Sequence, residues 1–415
     1  MENVNESMNE LYKGVAFKIA ARICRDAIWD GNSCNWIGPG VIGDTSNYQI
    51  VQKNHNIDIY QGNAGIAYFL NELLLVEDDP IIVETFQGCL NQVINNLDKD
   101  PLNSNLSFFE GSLGCIWLII QCGIDHKNDQ WIELGLSKLR GISTGTQKKE
   151  QLDIMGIAGA ILVLCHLYDR FKESWMIDWA QNLGHHLCSL GEQSQNQMTW
   201  KTLDPTQGLI GFGHGSAGIS LALLRLYQFT RDPKFFNTSR MGYNHVFNGV
   251  NSFMINPNFT SSQSIHTQGF QSWCHGLAGI LSSFLNAWSL TQEATFKEMI
   301  ERCSQLVYQS TVQSLHNVQT TSFCLCHGLA GNAMILSDSS KSLGNPGYQS
   351  LSTHIAQIGI QYYSDPNIPW QGGLKDPVSG QNQSSLGLMI GDSGIGSFYL
   401  HLASRPTPLK SLLLI

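Results

Sequence analysis

Two Cys-His-Gly triplets, Cys274-His275-Gly276 and Cys326-His327-Gly328, set a thiol beside an imidazole at two places 52 residues apart. A third histidine, His214, also stands directly before a glycine, Gly215, without a cysteine next to it. Thiolates combined with an imidazole suit zinc, and two sulfurs with one nitrogen leave a fourth tetrahedral position open, which is the catalytic rather than the structural form of such a site. Cys274, Cys326 and His327 are therefore the candidate ligands. A cysteine alone is usually a small buried apolar residue, and a histidine alone usually satisfies a core hydrogen bond. The same triplet in two equivalent repeats argues against coincidence. Cys324 is the nearest competing thiol, and the other eight of the eleven cysteines are assigned to packing.

Zinc has no redox chemistry and acts as a Lewis acid that lowers the pKa of a bound group. If that group is a substrate thiol, the product is a thiolate near neutral pH. A thiolate adds to an electron-poor alkene such as dehydroalanine or dehydrobutyrine, and the enolate that results must be protonated at carbon. His214 titrates in the range such a proton transfer needs. Asp153, three residues before Gly156, suits two roles: orienting that imidazole, or capping a helix N-terminus.

These residues belong to a recurrent Gly-x-x-Gly followed by an apolar run of helical period. It occurs seven times, with first glycines at Gly62, Gly111, Gly156, Gly215, Gly276, Gly328 and Gly391, separated by 45 to 63 residues. Each interval holds two helices. The run after Gly215 places Ile219, Leu221, Leu223, Leu224 and Tyr227 on a core-facing stripe, and second amphipathic stretches such as WMIDWAQNLGHHLCSLG precede the next motif. Seven hairpins whose inner helices share a centre predict an all-α fold, an α/α toroid with every motif at one end. An open helical solenoid uses the same hairpins without closure. Closure is favoured because the polar exceptions cluster in particular motifs. Loops rich in Gly, Ser, Asn and Gln, among them WIGPGVIGDTSNYQ and WQGGLKDPVSGQNQSS, separate the units. The reading is one domain over residues 1–415, with 1–57 as an N-terminal helical lead-in.

The 415 residues are 42% hydrophobic and 14% charged, as expected of a chain with much buried surface. A net charge of −9 offers no basic stripe for nucleic acid. No apolar stretch approaches the roughly 20 residues of a membrane span. An odd number of scattered cysteines points to a reducing, cytoplasmic compartment rather than a disulfide framework.

From the first motif to the C-terminus the chain resembles the lanthionine synthetase C family, on seven Gly-x-x-Gly motifs together with WCHG and CHG. The wording of GFGHGSAGISLALLRL, WCHGLAGI and GLMIGDSGIGSFYLHLA is closest to the cyclase portion of bifunctional LanM-type synthetases. The resemblance implies an α/α toroid that binds zinc through Cys274, Cys326 and His327 and closes thioether rings on a dehydrated precursor peptide. It maps the family's acid/base histidine onto His214 and its aspartate partner onto Asp153. Two departures follow. Where stand-alone members carry a tyrosine after the first zinc cysteine, this chain has His275, which becomes a second candidate acid. Where they carry an arginine a few residues earlier, it reads TQGFQSW. The length leaves no room for a dehydratase domain, so the chain is either an excised portion or a cyclase served by a separate dehydratase. Starting at Met1 with a polar lead favours the separate protein.

Two other activities remain open on sequence grounds. One adds glutathione to dehydroamino acids at the same metal site; the other is a helical peptide-binding scaffold with no metal and no catalysis. Barrels of the glycosidase or prenyltransferase type would need paired carboxylates or an aspartate zinc ligand at the motifs, where only Glu110 and Asp392 stand, in isolation.

Overall fold

The computed structural model describes residues 2–44, 47–99, 106–143, 151–203, 208–255, 272–363, 365 and 368–403. Among them, fourteen helices form two concentric layers. In chain order they are α1 (Glu2–Arg25), α2 (Asn63–Leu74), α3 (Pro80–Asn96), α4 (Ser112–Asp125), α5 (Asp129–Ser143), α6 (Ile157–Phe171) and α7 (Ser174–Leu190). The second half comprises α8 (Ser216–Thr230), α9 (Pro233–Ile255), α10 (Leu277–Thr291), α11 (Ala294–Ser314), α12 (Leu329–Leu343), α13 (Pro346–Tyr363) and α14 (Asp392–Leu402). The even-numbered helices each begin at a Gly-x-x-Gly motif and bury most of their surface; every residue of α2 and of α14 is out of solvent. The odd-numbered helices bury one stripe only, as α3 does with Ile82, Phe86, Cys89, Leu90 and Val93.

Each inner helix packs on the outer helix that follows it, from α2 on α3 to α12 on α13. The last inner helix, α14, has none after it and packs on α1 instead. Inner helices also touch one another, α6 on α8, α8 on α10, α10 on α12, α12 on α14, α14 on α2 and α2 on α4, so the last inner helix of the chain lies against the first. The toroid expected from the spacing is therefore observed. No helix among the described residues is long and apolar enough to cross a membrane.

The expectation of a helical lead-in over 1–57 needs correction. Only Glu2–Arg25 is helical there, and it is an integral outer helix of the ring. Two antiparallel hairpins follow, β1 (Ile28–Asp30) with β2 (Ser33–Asn35), and β3 (Ile37–Asp44) with β4 (Asn47–Asn54). The first turns at Gly31, whose φ of 58° favours glycine. Trp36 is buried between hairpins and helix and donates its indole N–H to the Ile23 carbonyl at 2.8 Å, so the hairpins are pinned to α1.

The motif itself has a steric explanation. At the second glycine of every copy, from Gly65 to Gly394, an added Cβ would lie 1.9–2.2 Å from a carbonyl oxygen five or six residues earlier. Only glycine lets the incoming strand cross the first helical turn that closely. These crossing strands are stitched to each other by backbone hydrogen bonds. Tyr60 N–H donates to Phe109 O, Met389 N–H to Tyr60 O, Cys326 N–H to Met389 O, Trp273 N–H to Cys326 O and His214 N–H to Cys274 O, at 2.7–3.2 Å. The turns of separate repeats thus form one hydrogen-bonded collar at the mouth of the ring.

Candidate active site

The collar explains why residues far apart in sequence meet. Two positions before the first motif glycine lie Tyr60, Phe109, Ile154, Gly213, Cys274, Cys326 and Met389; one position before it lie Gln61, Glu110, Met155, His214, His275, His327 and Ile390. Cys274 and Cys326 occupy the first of these registers in neighbouring repeats, and His327 the second. One donor atom from each of the three comes within 4.8 Å of the others.

The donor set fits a zinc ion. His327 Nε2 lies 2.9 Å from the Gly373 carbonyl, which can only accept, so Nε2 carries the proton and the lone pair is left on Nδ1. Added bulk at Gly373 would strike this ring, since a Cβ there would sit 2.9 Å from His327 Cε1. The Cys274 thiol is pushed well up, first by its hydrogen bond with Cys326, then by burial and by the Cys326 charge, with His327 opposing. A dication bound at this sulfur would reverse that preference. Cys324 is fully buried and lies outside the triplet, although its side chain is hydrogen-bonded to His327, whose charge lowers the Cys324 thiol against burial.

Tyr60 donates its hydroxyl to Cys326 Sγ at 3.0 Å. Sequence reasoning missed this residue because tyrosine is no usual zinc ligand, although it stands in the register of the two cysteines.

Beside the sulfurs, His214 Nδ1 lies 3.2 Å from Asp153 Oδ2. Asp153 is fully buried, and its Oδ1 accepts the Met155 N–H at 3.0 Å. It therefore serves its own turn with one oxygen and faces the histidine with the other, while Gly156 is the residue at the α6 N-cap. Burial opposes charge on His214, but the hydrogen bond and charge of Asp153, followed by Cys274 and Glu110, outweigh it and raise the imidazole above its ordinary value. His275 stacks on His214 with centroids 4.7 Å apart and planes at 29°. A second carboxylate is Glu110, noted in the sequence only as an isolated acid. Its outer atoms reach solvent at the mouth, yet the surrounding collar raises its carboxyl, first by burial and then through Asp58, with His214 opposing. The segment around Thr267–Gln271, where the family's arginine was expected and not found, lies outside the described residues.

The structure thus brings together all six residues singled out in the sequence. Two thiols and one imidazole gather on one side of the mouth, and a second imidazole backed by a buried carboxylate stands beside them.

A family model described as lanthionine synthetase C-like protein matches residues 53–414. The lacticin 481/lactococcin biosynthesis protein LcnDR2 of Lactococcus lactis subsp. lactis is 25% identical over 379 residues, covering 88% of this chain. The chain spans only 37% of that relative's length. Among solved structures, nisin cyclase superposes with a TM-score of 0.58 at 18% identity, over 86% of this chain and 92% of its own.

Proposed function

The chain belongs to the lanthionine synthetase C-like family, and from that premise we propose that it is a zinc-dependent cyclase that adds cysteine thiols to dehydroalanine or dehydrobutyrine within a precursor peptide. The observation that carries this reading is the convergence of Cys274, Cys326 and His327 within 4.8 Å, next to the His214–Asp153 pair.

Cys274, Cys326 and His327 would hold the zinc, whose contribution when bound is to acidify the substrate thiol. His214 is placed to take the thiol proton. Asp153, buried and anchored on the Met155 amide, holds the imidazole through Nδ1, so that Nε2 is the nitrogen free to exchange a proton with substrate. The sulfur then bonds to the β-carbon of the dehydro residue, the alkene pair moves to the α-carbon and its carbonyl, and a proton is returned to the α-carbon. The reaction is a net addition: S–H and C=C become S–C and C–H, with no leaving group. His214, and His275 stacked on it, are the candidate donors for the last step.

The substrate would reach the mouth already dehydrated, which requires a dehydratase activity on another domain or another protein. Eleven free cysteines, without a disulfide among them, suit a cytoplasmic setting for this chemistry.

The test is to incubate the purified chain with a dehydrated, cysteine-containing peptide and count free thiols by alkylation, because ring closure leaves the mass unchanged. Zinc near one equivalent and loss of alkylatable thiol support the proposal. Thiols that persist with zinc present would count against cyclisation.

A further inference from the structure

Tyr60 has no part in the steps above, yet its hydroxyl lies 3.0 Å from the sulfur of a proposed zinc ligand. Its position is fixed from three sides. Its N–H donates to Phe109 O, and its carbonyl accepts the Met389 N–H. Met389 in turn accepts the Cys326 N–H, so phenol and sulfur hang from one continuous run of backbone hydrogen bonds. The ring packs edge-on against Phe109 with centroids 6.2 Å apart. The same register in the next repeat holds Phe109 itself, which shows that this place in the collar takes an aromatic ring without a hydroxyl. The hydroxyl at Tyr60 is therefore not a packing requirement.

We propose that Tyr60 is a positioning residue for the metal centre, its O–H holding Cys326 in place and drawing electron density from the ligating sulfur. This rests on the zinc reading above. A ligated thiolate has lone pairs to offer and no proton, so the phenol is the donor and sulfur the acceptor. A sulfur that shares its charge with an O–H gives less to the metal, which is left more acidic toward whatever occupies the open position. Hydrogen bonds to first ligands of this kind also orient them, and their loss typically lowers metal affinity about 10- to 100-fold.

The experiment uses cobalt(II) as a coloured substitute for zinc in the full chain and in Tyr60→Phe, which keeps the ring and removes only the hydroxyl. The sulfur-to-cobalt charge-transfer band should move to longer wavelength in Tyr60→Phe, since a more electron-rich sulfur gives up charge more easily. Competition with a chelator should show affinity lowered by about 10- to 100-fold. A merely structural role for the ring would leave the band in place, because phenylalanine fills the same space. An unchanged band together with unchanged affinity overturns the proposal. Failure of the unaltered chain to give a cobalt–thiolate spectrum at one equivalent overturns the zinc reading itself, and is distinguishable because it appears before any substitution is made.

Discussion

In the proposed zinc site Cys274, Cys326 and His327 would each supply one of three protein donors, so alanine at any of them should abolish stoichiometric zinc, measured by elemental analysis, whereas Cys324→Ala should retain it. His214 behaves differently in this scheme. His214→Asn should keep the metal and lower ring formation by about 100- to 10,000-fold, the usual contribution of a general acid–base group. Asp153 provides the finer test, since it is the main influence raising the His214 imidazole against burial. In Asp153→Asn burial is left largely unopposed, the imidazole loses its proton at lower pH, and the acidic limb of the rate profile should move down the pH scale while the maximum rate falls. An acidic limb that stayed in place would dissociate His214 from the proton transfer. The convergence of Cys274, Cys326 and His327 was legible in the sequence because the Cys-His-Gly repeat advertises it. Tyr60 and Gly373 were not, because their roles depend on which repeats become neighbours and on side-chain direction, and neither residue type signals metal chemistry by itself.

The helical hairpins were legible for a different reason. Apolar period and paired glycines recur, and both follow from how an inner helix is packed. What the pattern did not disclose is why the second glycine is obligatory. Gly394→Ala would drive a Cβ to 1.9 Å from the Leu388 carbonyl, and backbone cannot step aside as a side chain can. A loss of about 1–3 kcal/mol or more is expected, read as a lowered thermal midpoint. Gly141 near the end of α5 is the contrasting case, with nothing within 4 Å of an added Cβ. Gly141→Ala should raise stability by about 0.5–1 kcal/mol, as expected when alanine replaces glycine in a helix. The β3–β4 hairpin escaped the sequence reading because WIGPGVIGD is rich enough in glycine to look like loop, and its partner strand comes only after the turn.

At the scale of the whole ring, the junction of α1 with α14 carries an ionisable group in an unfavourable place. Asp392, the first residue of α14, is fully buried, and Arg22 of α1 approaches it at 3.8 Å. Burial raises its carboxyl to about 7, Arg22 opposing and Asp26 adding to the rise. The folded state therefore binds this proton more tightly than the unfolded chain does. Stability should fall as pH rises from about 4, where the unfolded carboxylate ionises, to about 7, and level off above that. The full effect is at most about 4 kcal/mol. Asp392→Asn should remove this slope, so that its advantage over the unaltered chain in denaturant titrations is near zero at pH 4 and largest at pH 8. Equal slopes for the two chains would place the titration elsewhere. The same junction has a second consequence, which concerns how the molecule comes apart. A linear stack of repeats has two end units, each with one neighbour, and melts inward from them. A closed ring has no end unit, so no repeat can loosen without breaking contacts on both sides. Because α1 is the outer partner of α14, deleting residues 2–25 would strip one repeat of half its support and give the ring a place to fray. Calorimetry should then show a second, earlier transition, with the full-length chain melting in one.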